Sequence, residues 1–313
     1  MIKLLTHNDL DAIGCIVLAQ LVFGKDNVNY VMCNHDEVNM NYSDYLKTED
    51  YKNYDYCFIT DIAVCDKLVE RTNETFDVPN KYVHITDHHI SCMELNKEDW
   101  IDVVVADEND IKQCGTSLFY KQLLGYDNLD ASAIETPAVR EFVEKIRRYD
   151  VWDWAVLDDV TSKQLNDLVG IIGENNFIEY WFNKLSDPKA IFEYEPIHIS
   201  LLKMQQDKIN DYIDKCEADM VEREIQGYKA GVVFAYKYQS ELGNALAVRH
   251  PELDFIAMIN VGGGVSLRTN KDNVNVSEIA AAFGGGGHAK ASGMRVPEEV
   301  RDTVIKMIFQ LND

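Results

Sequence analysis

YVHITDHHIS, residues 82–91, is the stretch that decides how this chain is read. An apolar, β-branched run reaches Thr86 and gives way at once to Asp87, His88 and His89. Two other runs end alike: IKLLTH (2–7) and YCFITD (56–61) each close on Thr followed by His or Asp. Runs of this length and composition read as strands. The first leads into AIGCIVLAQLVF (12–23), a helical pattern, so strand and helix alternate as in a parallel α/β sheet. A fourth run, WIDVVVAD (100–107), ends at Asp107 and precedes CGTSLFYKQLLG (114–125), which reads as another helix. In such sheets ligands bind beyond the carboxyl ends of the strands, which is where these polar residues fall.

Beyond residue 130 the pattern turns mostly helical. SLLKMQQDKINDYIDKCEADMVERE (200–224) holds no Gly or Pro and reads as one long polar-faced helix connecting two domains. From about 226 strands resume with AGVVFAY, DFIAMINV and GVSLRT, and the last glycine-rich segment is VSEIAAAFGGGGHAKASG (276–293). The expected fold class is therefore α/β. A parallel-sheet domain (1–190), a helical linker (191–225) and a smaller α/β domain (226–313) divide a chain of 313 residues, long enough for two cores.

Charge narrows the partners. With 30 basic and 53 acidic residues the formal net charge is −23, a surface that repels polyanions and argues against a long duplex gripped by many Lys and Arg. A small anionic substrate at one locally positive site is compatible with it. The seven cysteines form no C-x-x-C pair, which argues against a thiolate zinc site or a disulfide framework, and several lie in apolar runs as buried thiols. No apolar stretch approaches a membrane span and the N-terminus reaches acids early, so a cytoplasmic location and no membrane partner are expected.

Three parallel neighbouring strands would bring His7, Asp9 and Asp11 together with Asp61 and with Asp87, His88 and His89. So many carboxylates in one crevice stay charged only with something positive among them. Carboxylate and imidazole without thiolate suit Mn²⁺, Mg²⁺ or a similar cation, and a surplus of acids over one coordination shell suggests two ions. In the last segment, four glycines (284–287) allow close backbone approach and can turn N–H groups toward phosphate oxygens. Trp152 and Trp154 are read as packing residues rather than as a base-stacking surface.

The set THNDLDA, ITDIA and ITDHHIS, followed by RRYDVWDW and closed by GGGGHAKASG, resembles the DHH phosphoesterase family with its associated C-terminal domain, over nearly the whole chain. The resemblance implies that His7, Asp9 and Asp61 hold one metal, and that Asp11, Asp61, His88 and a later Asp hold the other, with Asp61 bridging. The later acid is Asp150 or, failing it, Asp153. His89 would face the substrate phosphate and Asp87 would orient an imidazole. Arg268, Gly285, Gly286, Gly287 and His288 would grip phosphate, with Lys290 and Ser292 as possible assistants. Ala12 stands where many members have Gly, and His-x-Asp-x-Asp is tighter than the spacing of family II pyrophosphatases and of some nanoRNases.

The activity so implied is hydroxide attack on a phosphodiester with two divalent ions, Mn²⁺ first and Mg²⁺ or Co²⁺ as alternatives. Its substrates would be short oligonucleotides or linear or cyclic dinucleotides, cleaved by a monomer or homodimer. Rival readings are a phosphomonoesterase acting on a 3′-phosphorylated nucleotide, a pyrophosphatase, a nucleotide-binding sensor without turnover, and an RNA-binding module. The sensor would be marked by a missing ligand, whereas each position here has a candidate. The RNA-binding module is opposed by the acidic charge.

Overall fold

The computed structural model describes residues 1–126 and 129–311. Its contacts divide into two compact units, Met1–Leu202 and Lys203–Asp313.

The first unit is built on five strands, β1 (Ile2–Thr6), β2 (Val28–Met32), β3 (Tyr56–Thr60), β4 (Val83–Asp87) and β5 (Ile101–Val103). All are parallel, in the order β2-β1-β3-β4-β5. Successive side chains on one strand bury on opposite faces, as a sheet covered on both sides requires. Leu4 and Phe58 join one core with α1 (Leu10–Phe23). Leu5, Cys57 and Ile59 join the other with α2 (His35–Lys47) and α3 (Asp66–Thr75). The first core also takes α4 (Gly115–Leu124), α5 (Pro137–Asp150), α7 (Val160–Ile172) and α8 (Glu174–Leu185), with the short α6 (Asp153–Val156) between α5 and α7. The chain leaves β1 for β2 on one side and then crosses to β3 on the other, which opens a crevice at the carboxyl ends of β1 and β3.

Thr6 and Thr60, which end β1 and β3, pair with each other, and Thr86, the last residue but one of β4, finds its partner in Gln122. Thr6 Oγ1 donates to the Thr60 carbonyl at 3.0 Å, Thr60 Oγ1 donates to Thr6 Oγ1 at 2.9 Å, and Thr86 Oγ1 donates to Gln122 Oε1 at 2.9 Å. Buried hydroxyls paired in this way pin the strand ends and hence the residues after them.

The second unit begins within α9 (Pro196–Ala218), whose Ile209, Ile213 and Cys216 pack with α10 (Gln239–Arg249) in the core of that unit. Its six strands are β6 (Val221–Ile225), β7 (Tyr228–Phe234), β8 (Phe255–Ile259), β9 (Gly264–Arg268), β10 (Gly286–Gly287) and β11 (Ala291–Arg295), ordered β10-β11-β9-β8-β7-β6. Among its described residues only β7 and β8 pair in parallel, joined by α10. On the other face α11 (Val276–Ala281) covers Ala230, Phe255 and Leu267, and α12 (Glu298–Phe309) follows β11. The helix expected to run to Glu224 therefore stops at Ala218, and Val221–Ile225 is an edge strand paired with β7. β2 was not expected either. Five cysteines are buried and free, as their apolar settings suggest. No described helix is long and apolar enough to cross a membrane.

One buried imidazole bears on stability. His84, inside β4, sits 5.6 Å from the Phe58 ring and 5.4 Å from Tyr126, and its Nε2 has no hydrogen-bond partner. Burial pushes its pKa down to about 4 from 6.5. Between those two values the unfolded chain binds the proton and the folded chain does not, so stability falls as pH drops from about 6.5 toward 4. The loss is on the order of 3 kcal/mol, at 1.36 kcal/mol per pH unit. Denaturant unfolding of His84→Phe at neutral pH and at pH 4 should show an acid penalty smaller than that of the wild type by about this amount.

Candidate metal centre

The site is assembled from four segments at the carboxyl edge of the first sheet. Asp9 caps α1: its Oδ1 accepts the Ala12 N–H at 3.1 Å, while Oδ2 lies 3.0 Å from His7 Nδ1. Asp11, in the first turn of α1, turns inward and is 2% exposed. Its oxygens accept the backbone N–H groups of Gly115 at 2.5 Å and Thr116 at 2.7 Å, at the N-terminus of α4, where a helix dipole favours negative charge. Thr116 Oγ1 donates back to the Asp11 carbonyl at 2.5 Å.

Asp61 follows β3 with φ +59° and is 2% exposed. Its N–H donates to the Thr86 carbonyl at 2.9 Å, holding the turn against β4. Asp61 Oδ1 is 3.2 Å from His88 Nε2, and Oδ2 is 3.9 Å from His7 Nδ1. The same His88 Nε2 lies 3.6 Å from Asp150 Oδ2 and 3.9 Å from Asp11 Oδ2. Asp61 therefore stands between two imidazoles. Asp150 ends α5 beside His88, whereas Asp153 pairs with Arg147 Nη1 at 2.8 Å. Arg147 is itself buried and donates to the Lys112 carbonyl, which fixes the end of α5.

Electrostatics follow from this crowding. Burial, then the charges of Asp11 and Asp9, push the Asp61 carboxyl well above its ordinary value. The same causes raise Asp150 to about 8. Among the described residues, the cationic side chains that pair with Asp9, Asp11, Asp61 and Asp150 are the imidazoles of His7 and His88. Burial holds the His88 imidazole below its usual range, so it offers little compensating charge. Asp61 Oδ2 is buried with no hydrogen-bond partner. Buried carboxylates with an unpartnered oxygen and two flanking imidazoles are a donor set that fits divalent cations. Among the described residues three groupings have ligand atoms close enough to share an ion: His7, Asp9 and Asp61; Asp11, His88 and Asp150; and Asp61, Asp87, His88 and His89, in which Asp87 is already engaged by His89.

Asp87 is fully buried, and its Oδ1 accepts from His88 N at 2.7 Å and from His89 Nδ1 at 2.7 Å. The hydrogen bond that His89 donates to the Asp87 carboxylate raises the His89 pKa, and His89 remains partly exposed at the rim. The imidazole that Asp87 orients is thus that of His89.

Gly115 escaped the sequence reading. A Cβ there would sit 2.6 Å from Asp61 Cβ, 2.9 Å from Asp61 Cα and 3.0 Å from Asp11 Oδ2, so only glycine lets α4 present its N–H groups to Asp11 beside Asp61. Its one visible signal is the Cys-Gly-Thr-Ser start of a helix. Trp152, read as a packing residue, is 63% exposed, and Asp107 stands apart, closing a turn onto Asn109 and Ile111.

In the second unit Arg268 ends β9 between β8 and β11. Its Nη1 donates to the Leu267 carbonyl at 2.9 Å, and among the described residues no carboxylate forms an ion pair with it. Gly243 on α10 makes room for it, since a Cβ there would lie 2.5 Å from Arg268 Cγ. Gly286 and Gly287 pair with β11, Gly287 at φ +138°. A Cβ on Gly285 would collide with the Gly293 carbonyl. His288 is exposed beside this hairpin. Lys290 pairs with Asp272, and Ser292 is buried and bonded to the Val276 carbonyl.

Comparison with known proteins agrees with this organisation. Residues 232–312 match the DHHA1 domain. The chain is 36% identical to oligoribonuclease NrnB of Bacillus subtilis, over all of this chain and 77% of that protein. Among solved structures, the pGpG-specific phosphodiesterase PggH of Vibrio cholerae shares the fold with a TM-score of 0.56 at 14% identity, covering 99% of this chain and 98% of that one. The exonuclease RecJ bound to manganese shares it with a TM-score of 0.50 at 15% identity, covering 98% and 89%. A full-length relative at this identity, a DHHA1 match in the second unit and the Asp87-His88-His89 turn at the carboxyl edge of the sheet lead to one assignment: the chain belongs to the DHH phosphoesterase family with a DHHA1 domain.

Proposed function

We propose that the protein is a metal-dependent phosphodiesterase that hydrolyses short oligonucleotides or dinucleotides. The observation that carries this reading is the convergence of Asp9, Asp11, Asp61 and Asp150 on His7 and His88. The B. subtilis relative's name, oligoribonuclease, supports the substrate class.

In this reading the first unit is catalytic. His7, Asp9 and Asp61 would hold one cation, and Asp11, Asp61, His88 and Asp150 the other, Mn²⁺ being the ion proposed first. Such cations supply Lewis acidity toward a phosphoryl oxygen and activation of water at neutral pH. The chain's own contribution is positioning. The N-terminus of α4 holds Asp11, the Thr6–Thr60 pair fixes the strand ends, and Asp87 aims His89 at the rim. With its pKa raised by Asp87, His89 retains its proton more readily and can donate to a phosphate oxygen. The second unit would grip the phosphate through Arg268, His288 and the N–H groups of Gly285, Gly286 and Gly287.

Substrate length tests the reading. A strand of two to about five nucleotides carries few phosphates, whereas each further one meets a surface of net charge −23. kcat/KM measured over a length series of single strands at fixed salt should fall as the strand lengthens, and long duplex should be a poor substrate. A flat or rising profile to about twenty nucleotides would point instead to a basic channel and a processive exonuclease.

A further inference from the structure

Trp152 lies two residues beyond Asp150 and is 63% exposed, although burying a large aromatic ring is ordinarily favourable. Its backbone is left-handed, φ +66° and ψ +11°, a conformation that for an aromatic residue costs of the order of 1–3 kcal/mol and persists only where the surroundings enforce it. They do so here. The Trp152 N–H donates to the Tyr149 carbonyl at 3.2 Å, and its own carbonyl accepts from Ala155 N at 3.2 Å, so α5 ends and α6 begins around this residue.

The ring does not stand alone. Trp154 is 5.8 Å from it, tilted by 32°, and Tyr149 stacks on Trp154 at 6.3 Å and 20°. Three aromatic rings thus run outward from the end of α5, which also carries Asp150. Val156, Leu157 and Val160 extend the apolar surface at 86%, 57% and 53% exposure. An exposed π surface two residues along the chain from Asp150 suits a nucleobase, because every base has a π face and stacking needs no particular sequence.

We propose that Trp152 is the platform on which a base of the substrate stacks, making it a specificity-determining residue that distinguishes nucleotides from other phosphate esters. The inference rests on the nucleotide-phosphodiesterase reading above and adds to it the group that recognises the base.

The test is equilibrium binding of adenosine 5′-monophosphate and of ribose 5-phosphate to the full-length, Mn²⁺-loaded protein by titration calorimetry. The wild type should prefer the nucleotide by roughly 5- to 150-fold, the range of one base–aromatic stack. Trp152→Ala should collapse that ratio toward one, and Trp152→Phe should restore most of it. A preference that survives in Trp152→Ala, or a wild type that binds the two ligands alike, overturns the proposal. Dinucleotide turnover is scored separately. A wild type that prefers the nucleotide through Trp152 yet cleaves no dinucleotide counts against the phosphodiesterase reading alone, while cleavage without any base preference counts against Trp152 alone.

Discussion

Asp61→Asn is expected to lose on the order of 10³-fold in kcat and to keep its fold. The carboxylate stands between His7 and His88, so an amide there disturbs both proposed cation positions at once. The backbone should not object, because Asn tolerates the left-handed conformation that Asp61 adopts at φ +59°. In the metal-free protein the same change replaces a carboxyl whose charged form burial and its acidic neighbours disfavour with an amide that carries no charge. Its melting temperature without metal should therefore match or exceed that of the wild type, while the stabilisation gained on adding Mn²⁺ should shrink. Thermal unfolding with and without Mn²⁺, alongside steady-state kinetics, separates these effects. Wild-type turnover in this variant would rule out a shared carboxylate.

The second large effect falls on a residue that touches no substrate. Gly115→Ala places a methyl 2.9 Å from Asp61 Cα and 3.0 Å from Asp11 Oδ2. Backbone cannot yield as a flexible side-chain tip can, so α4 or the turn at Asp61 must move. Overpacking of this kind typically costs about 1–3 kcal/mol. Displacing the carboxylates by about 1 Å should lower kcat by about 10²-fold. Gly125→Ala, at the other end of α4, is the control: its methyl would sit 3.4 Å from the Gln122 carbonyl, near ordinary contact. It should change stability and kcat little. Equal effects from the two substitutions would mean that Gly115 acts through helix propensity and not through the site.

The parts of the fold that were legible in the sequence are those fixed by local pattern. β1, β3 and β4 are short, largely apolar runs, and the threonine at or next to the end of each is satisfied by the neighbouring structure. The polar residues after them fall at one edge because the strands are parallel neighbours, so the grouping of His7, Asp9, Asp11, Asp61 and His88 could be anticipated from strand ends alone. What escaped depends on contacts distant in sequence. β2 (VNYVM) carries an Asn in a short run and is a strand because β1 pairs with it. Val221–Ile225 (VEREI) alternates in a way a helix also tolerates, and pairing with β7 decides the matter. Gly115 and Gly243 matter through Asp61 and Arg268, side chains far away along the chain. Trp152 looked like a packing residue because tryptophan usually is one, and only the left-handed turn at the end of α5 puts it outside.

The central claim, that this chain cleaves phosphodiesters with cations held by the strand-end carboxylates, is tested most directly by stripping the full-length protein with EDTA and following one linear diribonucleotide by product chromatography. The stripped protein should release no mononucleotide, and added Mn²⁺ should restore release, with Asp61→Asn inactive throughout. Undiminished hydrolysis in EDTA, or full activity in the metal-restored Asp61→Asn variant, would contradict it.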